Sequence, residues 1–108
     1  TCNIAFEYIE GEAILLLLNK LGIAASSGSA CTSGSLEPSH VMRAMGIPLT
    51  AAHGTTRFTL SRYNTLDEMD LVIAAVPDIV ARLRKLSPYW GDDGPVEDPQ
   101  KAFAPAYA

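Results

Sequence analysis

The amino-acid sequence predicts an α+β fold, with a small three-stranded, antiparallel sheet and helices packed on one of its faces. Two patterns support this prediction. Apolar residues alternate with polar ones in some short segments, as in strands, and recur every three or four residues in others, as in helices. These segments follow in the order strand, helix, strand, loop, short helix, strand, long helix. A chain of 108 residues is long enough for one domain with a single modest core.

The first part of the chain predicts a strand, a helix and a second strand. Residues 3–9 are rich in β-branched and aromatic side chains, which favours a strand. Residues 12–21 predict a helix, because Glu12 suits its first turn and Gly22 is a typical C-terminal stop. This helix is apolar nearly all round, so we expect it to be buried on most sides. Residues 23–25 predict the second, short strand.

The stretch 24–35 consists of Gly, Ala, Ser and Thr apart from one cysteine, Cys31. It has too little apolar area to offset the entropy lost on ordering, so we expect a mobile surface loop with a thiol near its tip. A short helix is predicted over 36–46, with Gly46 as its stop. The following residues, 48–54, are expected to be irregular.

Residues 55–61 give the clearest strand pattern in the chain, with Phe58 and Leu60 on one face and Arg57 on the other. Alternation of this kind is typical of a strand with one apolar and one polar face. Arg57 therefore lies on the polar face of the predicted sheet.

The longest predicted helix begins at a capping box formed by Thr65 and Glu68. Pro77 lies inside its apolar pattern and removes one helical hydrogen bond, at a cost of about 3 kcal/mol, so we expect a kink or a break there. Residues 1–90 make up the predicted domain. Residues 91–108 are acidic, contain Gly and Pro and lack periodicity, so we expect a tail that is disordered when alone.

Composition argues against several classes of partner. The net charge of −4 and the pI near 4.9 do not favour nucleic acid or an anionic membrane surface. No apolar run approaches the roughly 20 residues of a membrane span. A disulfide between Cys2 and Cys31 has no local support, so a reducing, cytoplasmic environment is expected.

Two residues are candidates for chemistry. Cys31 can serve as a nucleophile, a redox group or a metal ligand, and the helix that follows its loop offers N–H groups that favour a thiolate. An inert loop cysteine is the alternative. Arg57 presents a rigid fork that matches a carboxylate, although an ordinary surface arginine fits the same pattern.

The two histidines carry less weight. His40 and His53 are not at helical spacing from each other, and together with Cys2 and Cys31 they do not form a metal-ligand pattern. Structural roles are the more common explanation for histidines in such positions.

Three segments carry a resemblance to a known family. Residues 26–44, SSGSACTSGSLEPSHVMRA, closely resemble the active-site cysteine segment of NifS/IscS-type cysteine desulfurases. Residues 57–63, RFTLSRY, resemble the strand that follows it, and residues 83–90, LRKLSPYW, resemble the end of the last long helix. The tail and the Ser-Gly-Ser after Thr32 favour the nitrogen-fixation branch, NifS.

This resemblance implies the small C-terminal domain of a fold-type I, class-V aminotransferase that depends on pyridoxal phosphate. Such an enzyme converts L-cysteine to L-alanine and keeps the sulfur as a persulfide on a loop cysteine, whose position is that of Cys31. Arg57 stands where the family binds the substrate carboxylate. The resemblance further implies a homodimer that passes sulfur to an iron–sulfur scaffold protein, with Cys31 transiently holding a 2Fe–2S cluster through the persulfide, in nitrogenase maturation.

The sequence departs from the family in one respect. The family's cofactor lysine lies in a Ser/Thr-x-His-Lys context, and Lys20, Lys85 and Lys101 have no such neighbours. The resemblance therefore implies a C-terminal part without a cofactor-binding residue, inactive alone. The alternatives are a stand-alone sulfur-carrier or redox domain that uses Cys31, and a non-catalytic interaction module that docks through 91–108.

Overall fold

A computed structural model describes residues 1–27, 40–91, 94 and 95. Its elements are β1 (Cys2–Ala5), α1 (Gly11–Lys20), β2 (Ser26–Ser27), α2 (His40–Ala44), α3 (Leu49–Ala52), β3 (Thr55–Phe58), α4 (Leu66–Leu86), β4 (Trp90–Gly91) and β5 (Gly94–Pro95). Strands and helices are mixed along the chain, which confirms the predicted α+β class.

The main sheet has three strands in the order β1-β3-β2, and both pairings are antiparallel, as predicted. The central strand β3 therefore has a neighbour on each side. In this register Asn3 of β1 and Ser26 of β2 both lie opposite Arg57. A residue at this position is flanked by the backbone of both edge strands.

The first strand is shorter than predicted, because the chain turns out of the sheet after Ala5. Tyr8 has a φ of 70°, in the left-handed region that ends extended structure. The backbone N–H of Phe6 donates to the carbonyl of Gly54 (3.0 Å), and that of Tyr8 donates to the carbonyl of Thr50 (3.1 Å). These bonds direct the segment after β1 towards α3 and away from the sheet.

The second strand was predicted at the wrong residues. It lies at Ser26–Ser27, not at 23–25, because Ile23 and Ala25 pack against the core and do not pair with β3. The third strand ends at Phe58, earlier than the predicted Ser61. Apolar residues that pack from a loop give the same sequence pattern as those in a short strand.

Helix α1 ends at Lys20, and the predicted stop Gly22, with a φ of 77°, closes a C-terminal Schellman motif. Ile14 and Leu18 are fully buried, and each contributes about 1.5–3 kcal/mol by its removal from water. The expectation of burial on most sides is wrong, because Leu16 is 65% exposed. Helix α1 therefore buries one of its faces against the other described residues.

The core lies between α1, α4 and the sheet. Its buried members are Ile9, Ile14, Leu18, Ile79 and Val80, and Phe58 of β3 packs against them. Helix α4 opens with the predicted capping box, in which the Glu68 backbone N–H donates to Thr65 Oγ1 (3.2 Å) and the Thr65 N–H donates to Glu68 Oε1 (3.0 Å). The capping box therefore stabilises the first turn of α4.

Of the kink or break predicted at Pro77, the break does not occur, since α4 runs without interruption from Leu66 to Leu86. Ile79 and Val80, in the turn after the proline, are buried in the core and hold that turn in place. The carbonyl that loses its partner belongs to Ile73, which is 69% exposed, so water can replace the missing bond.

The segment predicted to be irregular before β3 contains the short helix α3. Its first turn forms because the backbone N–H groups of Ala51 and Ala52 donate to the carbonyl of Pro48 (3.0 and 2.8 Å). Both alanines are buried, so α3 is packed into the domain just ahead of the central strand.

At the C-terminal end of α4, β4 and β5 pair as a small antiparallel hairpin. The ring centroids of Tyr8 and Trp90 are 5.3 Å apart, and the Arg84 guanidinium lies 4.2 Å from the Trp90 ring centroid. The rest of the predicted tail, 92–93 and 96–108, lies outside the described residues. No helix in the part of the chain described above is long and apolar enough to cross a membrane.

Candidate functional site

Arg57 lies at the centre of the sheet, on the face opposite the helical core. Directly paired residues of antiparallel strands share a face, so Asn3, Arg57 and Ser26 form one polar row across all three strands. Successive residues of a strand point to opposite faces. Phe58 packs against the core and the preceding Arg57 is half-buried. The guanidinium is therefore held on the non-core face of the sheet.

The guanidinium of Arg57 is oriented by one hydrogen bond, which its Nε–H donates to Ser26 Oγ at 3.2 Å. Within the described ranges, this is the one hydrogen bond in which the Arg57 side chain takes part. The two terminal nitrogens, Nη1 and Nη2, carry parallel N–H donors that match the two oxygens of a carboxylate. The arrangement is suited to bidentate binding of a carboxylate.

Cys31 lies outside the described residues, as do 28–30 and 32–39. The structure does describe the residues at which its loop begins: Ser26 and Ser27 pair with Arg57 and Thr56 of the central strand. The strand register thus brings the start of the cysteine segment to Arg57. Whether Cys31 acts as a nucleophile or a metal ligand stays a prediction.

His53 is a half-buried residue in the connection between α3 and β3. Its side chain is 10% exposed, and its Nδ1 lies 3.8 Å from Glu10 Oε2. Burial lowers the pKa of the imidazole below its ordinary value of 6.5, and the nearby Glu10 carboxylate opposes this by raising it. The His53 carbonyl accepts from the N–H of Gly11 (2.8 Å) and so helps to place the start of α1. These contacts favour a structural role for His53.

The remaining sequence candidates are spread over the surface. His40 is exposed at the start of α2, and Cys2 is exposed in β1. Among the described residues, no group of three or more His, Cys, Asp or Glu side chains is placed to hold a metal ion.

The two lysines that the structure describes lie on the surface. Lys20 and Lys85 are both exposed, in the last turns of α1 and α4, and Lys101 lies outside the described residues. Cofactor sites are concave and bury most of the ligand, whereas Lys20 and Lys85 lie on the surface, so neither is placed to hold pyridoxal phosphate. The residues described here therefore do not fit that group.

Sequence reasoning missed the contact between Ser26 and Arg57. It placed the second strand at 23–25, so Ser26 fell into the loop. The one available signal was the polar pair Ser26–Ser27, which is compatible with an edge strand whose residues alternate between two faces. Only the register with β3 shows which of the two hydroxyls meets the arginine.

The chain is similar in sequence to known proteins. The family model described as aminotransferase class-V matches residues 1–72. The chain is 79% identical to the cysteine desulfurase NifS of Azotobacter vinelandii over 107 residues, which cover 99% of this chain and 27% of that protein. It is 67% identical to a cysteine desulfurase of Klebsiella pneumoniae over 107 residues, with the same coverage.

A third relative is matched over a shorter part of the chain. A cysteine desulfurase of Nostoc sp. is 67% identical over 93 residues, which cover 86% of this chain and 23% of that protein. The chain thus spans about a quarter of the length of the curated relatives it matches.

Proposed function

Because this chain belongs to the class-V aminotransferase family, we propose that it is the C-terminal part of a cysteine desulfurase of the NifS type. The full-length enzyme converts L-cysteine to L-alanine and keeps the sulfur as a persulfide on Cys31. The observation that carries this proposal is the 79% identity to a cysteine desulfurase NifS over almost the whole chain. The orientation of Arg57 supports it independently, because the substrate is an amino acid with a carboxylate.

In this proposal Arg57 binds the carboxylate of L-cysteine. Its Nε–H is engaged by Ser26, so the carboxylate is bound end-on by the N–H groups of Nη1 and Nη2. Two charge-assisted hydrogen bonds fix the position and the rotation of the substrate. The substrate sulfur is then held at a defined place relative to the start of the cysteine loop.

Cys31 is the proposed sulfur acceptor. Its thiolate attacks the sulfur of L-cysteine, so a sulfur–sulfur bond forms as the bond between that sulfur and Cβ breaks. The electron pair of the broken bond stays on Cβ, which takes up a proton and completes L-alanine. Three residues lie between Ser27 and Cys31. The four chain steps from Ser27 to Cys31 reach at most about 14 Å, which keeps the thiol within range of a substrate on Arg57.

Pyridoxal phosphate is the cofactor that the family implies, and it provides the electron sink of amino-acid chemistry when bound. Because Lys20 and Lys85 are exposed, the cofactor site is assigned in this proposal to the rest of the full-length enzyme. The 108-residue chain alone is then inactive as a desulfurase.

The proposed partners follow from the same family membership. The persulfide on Cys31 is passed to an iron–sulfur scaffold protein, where the same sulfur transiently holds a 2Fe–2S cluster. The full-length enzyme acts as a cytoplasmic homodimer. The name NifS of a relative favours a role in nitrogenase maturation.

The carboxylate assignment is tested in the full-length enzyme that carries this chain. Arg57→Gln removes the charge and the fork, so the KM for L-cysteine rises by about 10- to 100-fold, as expected for loss of hydrogen bonds to a charged group. Arg62→Gln is the matched control, since Arg62 contacts the exposed Tyr63 beside it. Equal KM values for the two variants would contradict the assignment.

A further inference from the structure

We propose that Ser26 is a positioning residue for Arg57: its hydroxyl fixes the guanidinium in the orientation that binds the substrate carboxylate and ties the start of the cysteine loop to that site. This inference rests on the proposed carboxylate role of Arg57. It adds a residue that acts on the substrate through Arg57 and does not itself touch the substrate.

The first support is the register of the sheet. Ser26 and Arg57 are directly paired Cα partners of β2 and β3, so their side chains lie on the same face. Ser26 Oγ accepts the Nε–H of Arg57 at 3.2 Å, and both residues are half-buried. A contact between paired strands, partly shielded from water, has a defined geometry that a contact between two surface loops lacks.

The second support is the nitrogen that Ser26 engages. An arginine side chain has several rotatable bonds, and an unrestrained guanidinium must be ordered each time a carboxylate binds. The bond at Nε restricts this rotation and, among the described residues, leaves the N–H groups of Nη1 and Nη2 available for a carboxylate. Arg57 is thereby prepared for bidentate binding before the substrate arrives, which favours affinity.

The third support is the place of Ser26 in the chain. Strand β2 is only two residues long, and the sequence that carries Cys31 begins directly after it. The side-chain bond to Arg57 adds a third attachment to the backbone pairing at Ser26 and Ser27. The Ser26 hydroxyl therefore restrains both Arg57, which binds the carboxylate, and the strand from which the cysteine loop begins.

The chain offers a matched control for this hydroxyl. Ser27 is the neighbouring residue in the same strand, is also half-buried, and pairs with Thr56 on the opposite face of the sheet. Ser27→Ala removes an identical group without affecting Arg57. Ser26→Thr keeps a hydroxyl at the position and serves as the conservative variant.

The test is steady-state kinetics of L-alanine formation by the full-length enzyme, with cofactor bound. Ser26→Ala is expected to raise the KM for L-cysteine about tenfold, with kcat within about twofold of the parent enzyme. Ser26→Thr is expected to restore most of the affinity, and Ser27→Ala to leave KM unchanged. In an Arg57→Gln background, Ser26→Ala is expected to have no further effect, because the two residues act as one unit.

Three results would overturn the inference: a KM for Ser26→Ala equal to that of Ser27→Ala, a Ser26→Thr variant as weak as Ser26→Ala, or additive effects with Arg57→Gln. The outcome is distinguishable from failure of the proposed function. If Arg57→Gln raises KM and Ser26→Ala does not, the carboxylate role stands and the positioning role is wrong. If Arg57→Gln itself leaves KM unchanged, the carboxylate role is wrong and the positioning role is overturned with it.

Discussion

Gly54 and Phe6 are in backbone contact: a Cβ atom on Gly54 would lie 1.9 Å from the carbonyl oxygen of Phe6. The N–H of Phe6 also donates to the carbonyl of Gly54 at 3.0 Å. The chain leaving β1 and the chain entering β3 are thus packed against each other without space for a side chain. This contact lies three residues before Arg57 and fixes the entry to the central strand.

The first prediction concerns this contact. Gly54→Ala is expected to destabilise the domain by about 3 kcal/mol or more, because the obstructing atom is backbone and cannot rotate away. Amide hydrogen exchange of peptides covering β1 and β3 in the full-length protein measures the loss. The shift in β3 is also expected to raise the KM for L-cysteine.

Gly46→Ala is the control for that prediction. Gly46 has a φ of 73° but open space at its Cβ position, so the alanine costs only about 1 kcal/mol of backbone strain. If both variants lose protection in β1 and β3 to the same extent, the contact between Gly54 and Phe6 does not determine the stability of the sheet.

The second prediction concerns the start of α4. Thr65→Ala removes the capping hydroxyl that accepts the Glu68 N–H, and is expected to cost about 1 kcal/mol. Faster hydrogen exchange in the first turn of α4 is the expected signature. Thr59→Ala, which changes an exposed threonine outside any helix, serves as the control. Unchanged exchange at the first turn in Thr65→Ala would show that the helix start depends on its other contacts.

The third prediction concerns acid sensitivity. Because burial lowers the pKa of His53 below 6.5, the folded state binds a proton there more weakly than the unfolded state. The stability that depends on neutral His53 is therefore complete above pH 6.5 and is lost as the pH falls through the lowered pKa. Local opening around α3 and β3, measured by hydrogen exchange corrected for its intrinsic pH dependence, is expected to become easier over that range.

His53→Gln is expected to remove this part of the acid dependence, because the titrating group is gone. His40→Gln, which changes the exposed histidine of α2, is expected to retain it. An acid response in His53→Gln as steep as in the parent protein would assign the effect to other groups.

The sequence predicted those features that arise from local patterns. The capping box at Thr65 and the stop at Gly22 each involve atoms within a few residues, so the residue types were sufficient to identify them. The antiparallel sheet followed from the order of the segments. The family and the expected chemistry of the chain were predicted from the resemblance carried by the segment around Cys31.

The structural features that the sequence did not predict depend on contacts between distant segments. Ile23 and Ala25 read as a strand because they are apolar, but their burial against α1 and α4 comes from packing, and the pairing falls to Ser26. The continuity of α4 through Pro77 likewise depends on core contacts made after the proline. The orientation of Arg57 requires a strand register over 31 residues of chain, which no local pattern encodes.

Mass spectrometry of the full-length enzyme, stopped during turnover of L-cysteine, tests whether Cys31 accepts the substrate sulfur. The peptide with Cys31 is expected to gain about 32 daltons, one sulfur atom, and a thiol reductant is expected to remove it. Cys2, exposed in β1, is the internal control and is expected to remain unmodified. An unmodified Cys31 in an enzyme that is releasing L-alanine would contradict the account.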